Sequence, residues 1–379
     1  MCGIVAYLGK KQTLPILLSG LKRLEYRGYD SAGVAVLENG KINKIKSVGK
    51  IDNLVNKIGS QSFSGTIGIA HTRWATHGGV TEENTHPHSG CKDDLVIVHN
   101  GIIENYRELR DKFLGGHNIS SETDTEILAH LIEVFYEGDL LKATQRALKE
   151  VRGTYGVVAM HSAEPHKLVA ARLGSPLVIG VGENEYYIAS DTSPMLAYTR
   201  NVIFLDDGEI AEITESGLQI FNLEDKSVDK NMEKIEWDET SAQKQGFSHF
   251  MLKEIYDQPT VFKDAIRGRY DLENGTARLG GLNMGEEDMR RINRVVFLAC
   301  GTSSYAAMVG KFAFERLAGL VSEVNIASEF RYSDPIVDEN TLVFALSQSG
   351  ETADTLAAVR EAKRKGAVVR GIINVIGST

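Results

Sequence analysis

The last third of the chain alternates apolar runs with amphipathic segments, and this alternation restricts the fold more than any other feature. Residues 294–319 have the pattern of a strand, a loop of small residues and a helix; 340–366 repeat it, and another apolar run follows at 367–375. Such alternation predicts an α/β doubly wound parallel sheet, in which ligands bind beyond the carboxyl ends of the strands. Because the sequence stops after the third run, we expect this sheet to be incomplete.

The first two hundred residues have a different pattern, typical of an α+β domain. Leucines at helical spacing predict a helix within 14–27. Asn39-Gly40, between two strand-like runs, predicts a hairpin with a type I′ turn. Several later runs are almost continuously apolar, which is typical of strands buried on both faces of a layered sheet.

The composition changes at about residue 222. Residues 223–246 are charged and rich in amides, and they offer few candidates for a core. We therefore predict a domain at 1–222, a linker at 223–246 and a second domain at 247–379. The second domain is expected to open with a helix that is interrupted at Pro259.

Charge and cysteine content exclude several classes of protein. The net charge of −9 argues against a general nucleic-acid binder, which would carry a basic stripe. No apolar run has the length of a membrane span, and no secretory leader precedes the first strand. The three cysteines contain no CxxC pair, and an odd number of cysteines does not build a disulfide framework, so a reducing compartment is favoured. We expect a cytoplasmic protein that binds neither nucleic acid nor membranes.

Cys2 directly follows the initiator methionine. If Met1 is removed, the new α-amine lies on the same residue as the thiol. Its ordinary pKa of roughly 7.7–8.0 leaves part of it unprotonated near neutral pH, so it can serve as the base for the nucleophile. The alternative is an ordinary buried cysteine with Met1 retained, and Cys2 alone does not decide between them.

Acyl transfer also needs donors for an oxyanion and groups that hold the ends of the substrate. Three polar stretches at strand ends or helix starts can supply them: 70–78, 98–105 and 121–126. The second stretch is expected to place Asn100 and Gly101 at a strand-to-helix turn, and the third places Asp124 at the start of a helix.

These stretches resemble the class II glutamine amidotransferases, whose glutaminase domain is an N-terminal nucleophile hydrolase with a four-layer αββα sandwich. The motifs occur in the order of that family: CGIV, LEYRGYDSAG, AHTRWATHG, THPH, VHNGIIEN, SETDTE and SPLVIG…IASD. Together they cover essentially the whole N-terminal domain.

The resemblance implies a role for each matching residue. Cys2 attacks the side-chain amide of L-glutamine and releases ammonia, while Asn100 and the Gly101 N–H stabilise the oxyanion. Arg73 binds the α-carboxylate and Asp124 the α-ammonium group. Glutamine carries one group of each sign, so its site needs one fixed cation and one fixed anion, and a guanidinium meets a carboxylate through two parallel hydrogen bonds.

The resemblance also implies that Thr76 and His77 complete the glutamine pocket and that Trp74 gates the path between two sites. Structural alternatives stay open for single residues. Asp124 taken alone is a helix-start residue, and Asn-Gly is a common turn. His86, His88 and Cys91 have the spacing H-x-H-x₂-C, which matches no strong zinc pattern, so we assign them structural roles and expect no metal and no cofactor.

Two loops of the second domain, CGTSSY and SQSGETADT, are rich in small hydroxyl-bearing residues and precede predicted helices. Backbone N–H groups at a helix start and nearby hydroxyls can hold a phosphate. Neither loop is a Walker A or a GxGxxG sequence, so a sugar phosphate is favoured over a nucleotide. The alternative is that these residues only cap their helices.

With ASEFRY between them, the loops resemble the sugar isomerase domain. The resemblance implies that fructose 6-phosphate is bound by the hydroxyl and amide side chains of both loops, namely Thr302, Ser303, Ser347, Gln348, Ser349 and Thr352. It also implies a homodimer through this domain, and isomerase residues in a second subdomain beyond residue 379.

Both resemblances together imply a two-step enzyme that converts fructose 6-phosphate to glucosamine 6-phosphate with ammonia from glutamine. We expect residues 1–379 to retain at most the glutaminase half. Two alternatives remain: an amidotransferase with another acceptor, for which neither a phosphoribosyl-binding nor an ATP-pyrophosphatase loop is found, and a sugar-phosphate-binding module without catalysis.

Overall fold

Two antiparallel sheets lie face to face in the N-terminal part of the computed structural model. The structure describes residues 2–74, 78–235, 247, 249–271, 275–277, 279, 282, 284–350 and 352–374. The chain divides into two units, residues 1–243 and 244–379. No helix in the described part of the chain is both long enough and apolar enough to cross a membrane.

The strands of the first unit, as described, are β1 Gly3–Leu8, β2 Ser31–Glu38, β3 Lys41–Val48, β4 Ile67–Arg73, β5 His88–Ser89, β6 Leu95–Ile103, β7 Gly153–His161, β8 Lys167–Leu173, β9 Val178–Val181, β10 Tyr186–Ala189, β11 Asn201–Phe204, β12 Glu209–Thr214, β13 Gly217–Asn222 and β14 Glu233–Lys234. The first sheet has the order β14-β11-β9-β10-β1-β4-β2-β3, and the second has the order β13-β12-β8-β7-β6-β5.

The helices of this unit, as described, are α1 Thr13–Leu24, α2 Ile51–Ile58, α3 Tyr106–Phe113, α4 Asp124–Phe135 and α5 Leu140–Glu150. They form the two outer layers. Alternate residues of β1 point to opposite sides, so Ile4 packs between the sheets while Tyr7 packs against α1. In the same way, Val96 of β6 faces the other sheet and Ile97 faces α4.

This arrangement confirms the predicted four-layer αββα sandwich. The local predictions agree with it. Helix α1 buries Leu17, Leu21 and Leu24 completely. The β2–β3 hairpin turns at Asn39 and Gly40, whose φ angles of 51° and 74° are those that a type I′ turn requires.

Part of the predicted linker belongs to the first unit. Residues 233–234 pair with β11 at the edge of the larger sheet, and Ile235 packs into the core beside α1. Residues 236–246 lie outside the described part of the chain. The boundaries 1–222, 223–246 and 247–379 remain a prediction.

The described elements of the second unit are α6 Phe250–Ile266, β15 Tyr270–Asp271, β16 Thr276–Ala277, α7 Glu286–Arg291, β17 Arg294–Ala299, α8 Thr302–Ala313 with a π-helical turn at Phe314–Ala318, β18 Val321–Ile326, α9 Ala327–Phe330, β19 Thr341–Ser347, α10 Ala353–Arg364 and β20 Val368–Ile373. Parallel strands in the order β18-β17-β19-β20 form its main sheet. This confirms the predicted parallel α/β sheet. Helix α6 continues through Pro259, so the predicted interruption is wrong.

Candidate active site

Cys2 directly precedes β1 and lies beside the end of β4. Antiparallel pairing sets Gly3 opposite Thr72, which brings Cys2 next to the residues that follow β4. The backbone N–H of Trp74 donates a hydrogen bond to Cys2 Sγ over 3.2 Å. Burial raises the pKa of the Cys2 thiol, so the sulfur needs a nearby base before it can act as a nucleophile.

The side chain of Asn100 reaches Cys2 from the second sheet. Its amide Nδ2 donates to the Cys2 carbonyl oxygen over 3.3 Å, while its Oδ1 lies 2.9 Å from His71 Nε2. Burial lowers the pKa of His71 to about 3, so the ring is neutral, and because Oδ1 only accepts, His71 carries its proton on Nε2. His71 therefore holds the Asn100 amide with its NH₂ group toward Cys2.

Gly101 follows Asn100 within β6, not at a turn as predicted. The strand continues to Ile103, which pairs with Gly153 of β7. Gly101 has a φ of 135°, and a Cβ atom there would lie 2.1 Å from the carbonyl oxygen of Thr154. Only glycine allows the two strands this close approach, and it keeps the ladder intact beside the cleft.

A positively charged and a negatively charged side chain line the same cleft as Cys2. The cleft has about 300 Å³ of empty space, counting the part that is open to solvent, and Arg73, Asp124 and Gly101 all line it. Asp124 begins α4 as predicted, and its Oδ2 accepts a hydrogen bond from the Ile103 N–H over 2.7 Å. Arg73 Nη1 donates to the Gly79 carbonyl oxygen over 3.0 Å.

Trp74 also lines the cleft, with 45% of its surface exposed, and its ring packs edge-on against Tyr29. Thr76 and His77 lie outside the described residues, so their predicted contacts with a substrate remain predictions.

Sequence reasoning missed several residues that form the walls of this cleft: His86, His99, Thr123 and Thr125. His99 Nδ1 lies 2.9 Å from Thr125 Oγ1, and the His86 ring stacks on His71 with 4.0 Å between ring centres. His99, Thr123 and Thr125 lie inside the second and third polar stretches, but their types gave no reason to choose them over their neighbours. His86 lies outside these stretches, and from the sequence it was assigned only a structural role.

Four buried histidines around the site make the first unit sensitive to acid. Burial lowers the pKa of His71 to about 3 and lowers those of His86, His88 and His99 below the usual value. In the unfolded chain each ring titrates near 6.5, so unfolding takes up protons below that pH. Stability is complete above about pH 6.5 and is expected to fall below it by up to about 1.4 kcal/mol per pH unit for each histidine.

Urea unfolding of the chain at a series of pH values, followed by fluorescence, measures this slope. The control is a His166→Gln variant, which removes an exposed imidazole that pairs with Glu215. A midpoint that stays constant between about pH 7 and 5 would contradict the expectation.

The two hydroxyl-rich loops of the second unit lie side by side. They follow β17 and β19, which are neighbours in the sheet, with Ala299 opposite Leu346. From β17 the chain continues to β18 on one side, and from β19 it continues to β20 on the other. This is the topological switch point, where open α/β sheets bind their ligands.

The polar groups in these loops are prearranged by the backbone. Thr302 begins α8, and Ser303 follows it. Ser347 Oγ accepts a hydrogen bond from the Gly350 N–H over 3.0 Å and lies 3.4 Å from Thr352 Oγ1, while Thr352 directly precedes α10. Gln348 is exposed and Ser349 is half-buried. The described hydroxyl groups of these loops lie at the starts of two helices.

Two protein-family models match the chain. A model described as a glutamine amidotransferase domain matches residues 71–211, and one described as a SIS domain matches residues 288–379. Together with the cysteine cleft and the parallel sheet, these matches define the chain as a glutamine amidotransferase domain followed by a sugar isomerase domain.

Curated relatives align with the entire chain. It is 49% identical over 380 residues to the glutamine–fructose-6-phosphate aminotransferase (isomerizing) of Clostridium tetani, strain Massachusetts / E88. It is 50% identical over 380 residues to that of Thermus thermophilus. Both alignments include 100% of this chain and 62% of the relative. Along its whole length the chain is similar to these glutamine–fructose-6-phosphate aminotransferases, and it spans about 62% of the length of these curated relatives.

Among solved structures, the glutamine phosphoribosylpyrophosphate amidotransferase of B. subtilis, complexed with ADP and GMP, has a TM-score of 0.53 to this chain. The match covers 98% of this chain and 81% of that one. At 19% sequence identity, the likeness shows the fold alone.

Proposed function

We propose that the first unit hydrolyses L-glutamine at Cys2 and that the whole protein transfers the ammonia to fructose 6-phosphate, forming glucosamine 6-phosphate and glutamate. The observation that carries this proposal is that the thiol of Cys2, the buried guanidinium of Arg73 and the buried carboxylate of Asp124 line one cleft. The amide of Asn100 is held beside Cys2 by a hydrogen bond to its carbonyl oxygen.

The reaction begins once Met1 has been removed. The α-amine of Cys2 takes the thiol proton, and Sγ attacks the side-chain carbonyl carbon of glutamine. Asn100 Nδ2 and the Gly101 N–H donate to the resulting oxyanion. Collapse of the tetrahedral intermediate breaks the C–N bond, and the ammonium form of the amine returns the proton to the leaving ammonia. Water then hydrolyses the thioester and releases glutamate.

Intact-mass analysis after treatment with a glutamine-like electrophile tests the proposal. We expect a polypeptide that lacks Met1 and carries one label on Cys2, together with glutamate release from unlabelled protein. Retained Met1 with an unlabelled Cys2 would favour the alternative, a sugar-phosphate-binding module without catalysis.

Trp74 is proposed to gate the passage of ammonia, because it lines the cleft and remains partly exposed.

Arg73→Lys is expected to raise KM for glutamine by roughly 10- to 100-fold with little change in kcat. An ammonium group cannot replace both N–H bonds of a guanidinium to a carboxylate, and a hydrogen bond to a charged group contributes about 1.5–3 kcal/mol. Steady-state glutamate release measures both constants. Arg152→Lys is the control, since Arg152 is exposed and pairs with Glu108. An unchanged KM with a reduced kcat would contradict the binding role.

We propose that fructose 6-phosphate binds at the switch point of the second unit through Thr302, Ser303, Ser347, Gln348, Ser349 and Thr352. Ser347→Ala is expected to weaken its binding by roughly tenfold, because one hydrogen bond to a charged phosphate is lost. Calorimetric titration with fructose 6-phosphate measures this change. Ser322→Ala, at the amino end of β18, is the matched control. Equal affinities of the Ser347→Ala variant and the unmodified chain would exclude the site.

A homodimer through the second unit is part of the proposal. Helix α8 exposes several large apolar side chains, among them Val309 and Phe312, which are 72% and 70% exposed. Such a patch is typical of an interaction surface. Sedimentation velocity tests the dimer.

We also propose a cytoplasmic location, since Cys2 must stay a free thiol to react.

A further inference from the structure

A second cluster of reactive side chains lies outside the glutamine cleft. The ligand atoms of Cys91, His117, His130 and Glu133 all lie within 4.8 Å of one another. Cys91 Sγ is 3.4 Å from His117 Nδ1 and 3.5 Å from His130 Nδ1, and the two Nδ1 atoms are 3.1 Å apart. Glu133 Oε2 lies 3.6 Å from His117 Nδ1 and 3.5 Å from His130 Nδ1.

These separations are those of a tetrahedral metal site. Zinc binds nitrogen at about 2.0–2.1 Å and sulfur at about 2.3 Å, so tetrahedral ligand atoms lie roughly 3.3 Å apart for two nitrogens and 3.5 Å for nitrogen and sulfur. A cation at the centre would use all four lone pairs at once. A hydrogen bond, by contrast, joins only two of these atoms at a time, so hydrogen bonding would not use all four together. The thiolate and the carboxylate together carry the charge that balances a divalent ion.

Neighbouring groups already orient the ligands. His130 is 1% exposed, and its other ring nitrogen, Nε2, faces Glu126 Oε1 across 3.8 Å, which is longer than a hydrogen bond. That carboxylate oxygen is held by the Ser120 N–H at 2.9 Å. Glu133 accepts hydrogen bonds from the backbone N–H groups of Cys91 and Lys92. A carboxylate behind a ligating histidine and a hydrogen-bonded ligating carboxylate are typical of metal centres.

We propose that Cys91, His117, His130 and Glu133 form a structural site for zinc. Four protein ligands leave no open coordination position, which distinguishes a structural site from a catalytic one. Binding would release the thiol proton of Cys91 to solvent. The ion would tie the loop after β5 and the segment between α3 and α4 to helix α4. That helix begins at Asp124, so the site would brace one wall of the glutamine cleft.

Metal analysis of the purified full chain by mass spectrometry, after growth with added zinc, tests the site. We expect one zinc ion per chain, with most of it lost in Cys91→Ser and in His117→Gln. Neither side chain is fully buried, so both variants should fold. Cys300→Ser and His166→Gln are matched controls that should keep the ion. A zinc content in the unmodified chain no higher than in Cys91→Ser would overturn the proposal.

Two measurements on the unmodified chain need no variant. Replacing zinc by Co²⁺ should give a thiolate-to-cobalt charge-transfer band and the intense visible bands of tetrahedral cobalt. A spectrum that lacks either feature would overturn the proposal. Removing the metal with a chelator should lower the Tm of the chain by several degrees, and adding zinc back should restore it. A Tm that does not respond would show that the ion does not support the fold.

Discussion

Replacing Cys2 with serine is expected to reduce kcat for glutamine hydrolysis by roughly 10³-fold or more, because no other thiol lines the described part of the cleft. The serine hydroxyl is a far weaker nucleophile than a thiolate, and the α-amine is too weak a base to ionise it. Glutamine binding should persist, since Arg73 and Asp124 are unchanged. Glutamate release measures kcat, and the change in fluorescence on adding glutamine measures binding.

The control is Cys300→Ser, which removes a thiol from the second unit and should leave the rate unchanged. A second variant tests the amine separately. In this variant an extra residue is inserted between Met1 and Cys2 and is kept when Met1 is removed, so the α-amine belongs to that residue and not to Cys2. We expect this insertion to abolish activity while the fold remains. Normal turnover by this extended chain would show that the base is not the amine of Cys2.

Asn100→Ala is expected to lower kcat for glutamine hydrolysis by about 10²- to 10³-fold and to leave KM almost unchanged. Its Nδ2 donor is held beside Cys2 by His71, and removing one donor from an oxyanion site raises the barrier by about 2.7–4 kcal/mol. In the proposed mechanism this donor acts on charge that develops only in the transition state, so the loss is expected in kcat. Steady-state kinetics separate the two constants.

Asn56→Ala, an exposed position on α2, is the control for amide loss elsewhere in the first unit. A tenfold rise in KM at constant kcat would assign Asn100 to substrate binding instead. Circular dichroism of the variant distinguishes a lost donor from a disturbed sheet.

Features determined by neighbouring residues were predictable from the sequence. The leucines of α1 share one helical face, Asn39-Gly40 suits the sterically demanding turn, and Asp124 marks the start of α4. Each of these signals depends only on residues that are close together in the sequence. Strand–helix alternation likewise predicted the parallel sheet, because a parallel pairing needs a crossover between its strands.

Features that depend on distant pairing were not predictable from local pattern. Asn100 meets Cys2 only because two sheets stack, and no spacing in the sequence encodes that contact. Gly101 suggested a turn, yet the close approach of Thr154 uses the same glycine inside a strand. The Cys91 cluster was missed for the same reason. His117 and His130 come from a loop and a helix that no metal-binding motif connects.

Proline also gave a misleading signal. Pro259 cannot donate the helical N–H bond, yet α6 continues from Phe250 to Ile266. Residues on both sides of it are exposed, so water can satisfy the carbonyl group that loses its partner. The free-energy cost of the unpaired carbonyl group is therefore smaller here than in a buried helix.

Strand β1 lies in the interior of its sheet, between β4 and β10, which has a consequence during synthesis. Its second partner, β10, ends at Ala189, so the strand cannot be flanked on both sides until that residue has left the ribosome. At 5–20 residues per second this takes roughly 10–40 s. The start of β1 therefore lacks one of its two neighbouring strands on the nascent chain for that time, and Met1 can be removed before the sheet is complete.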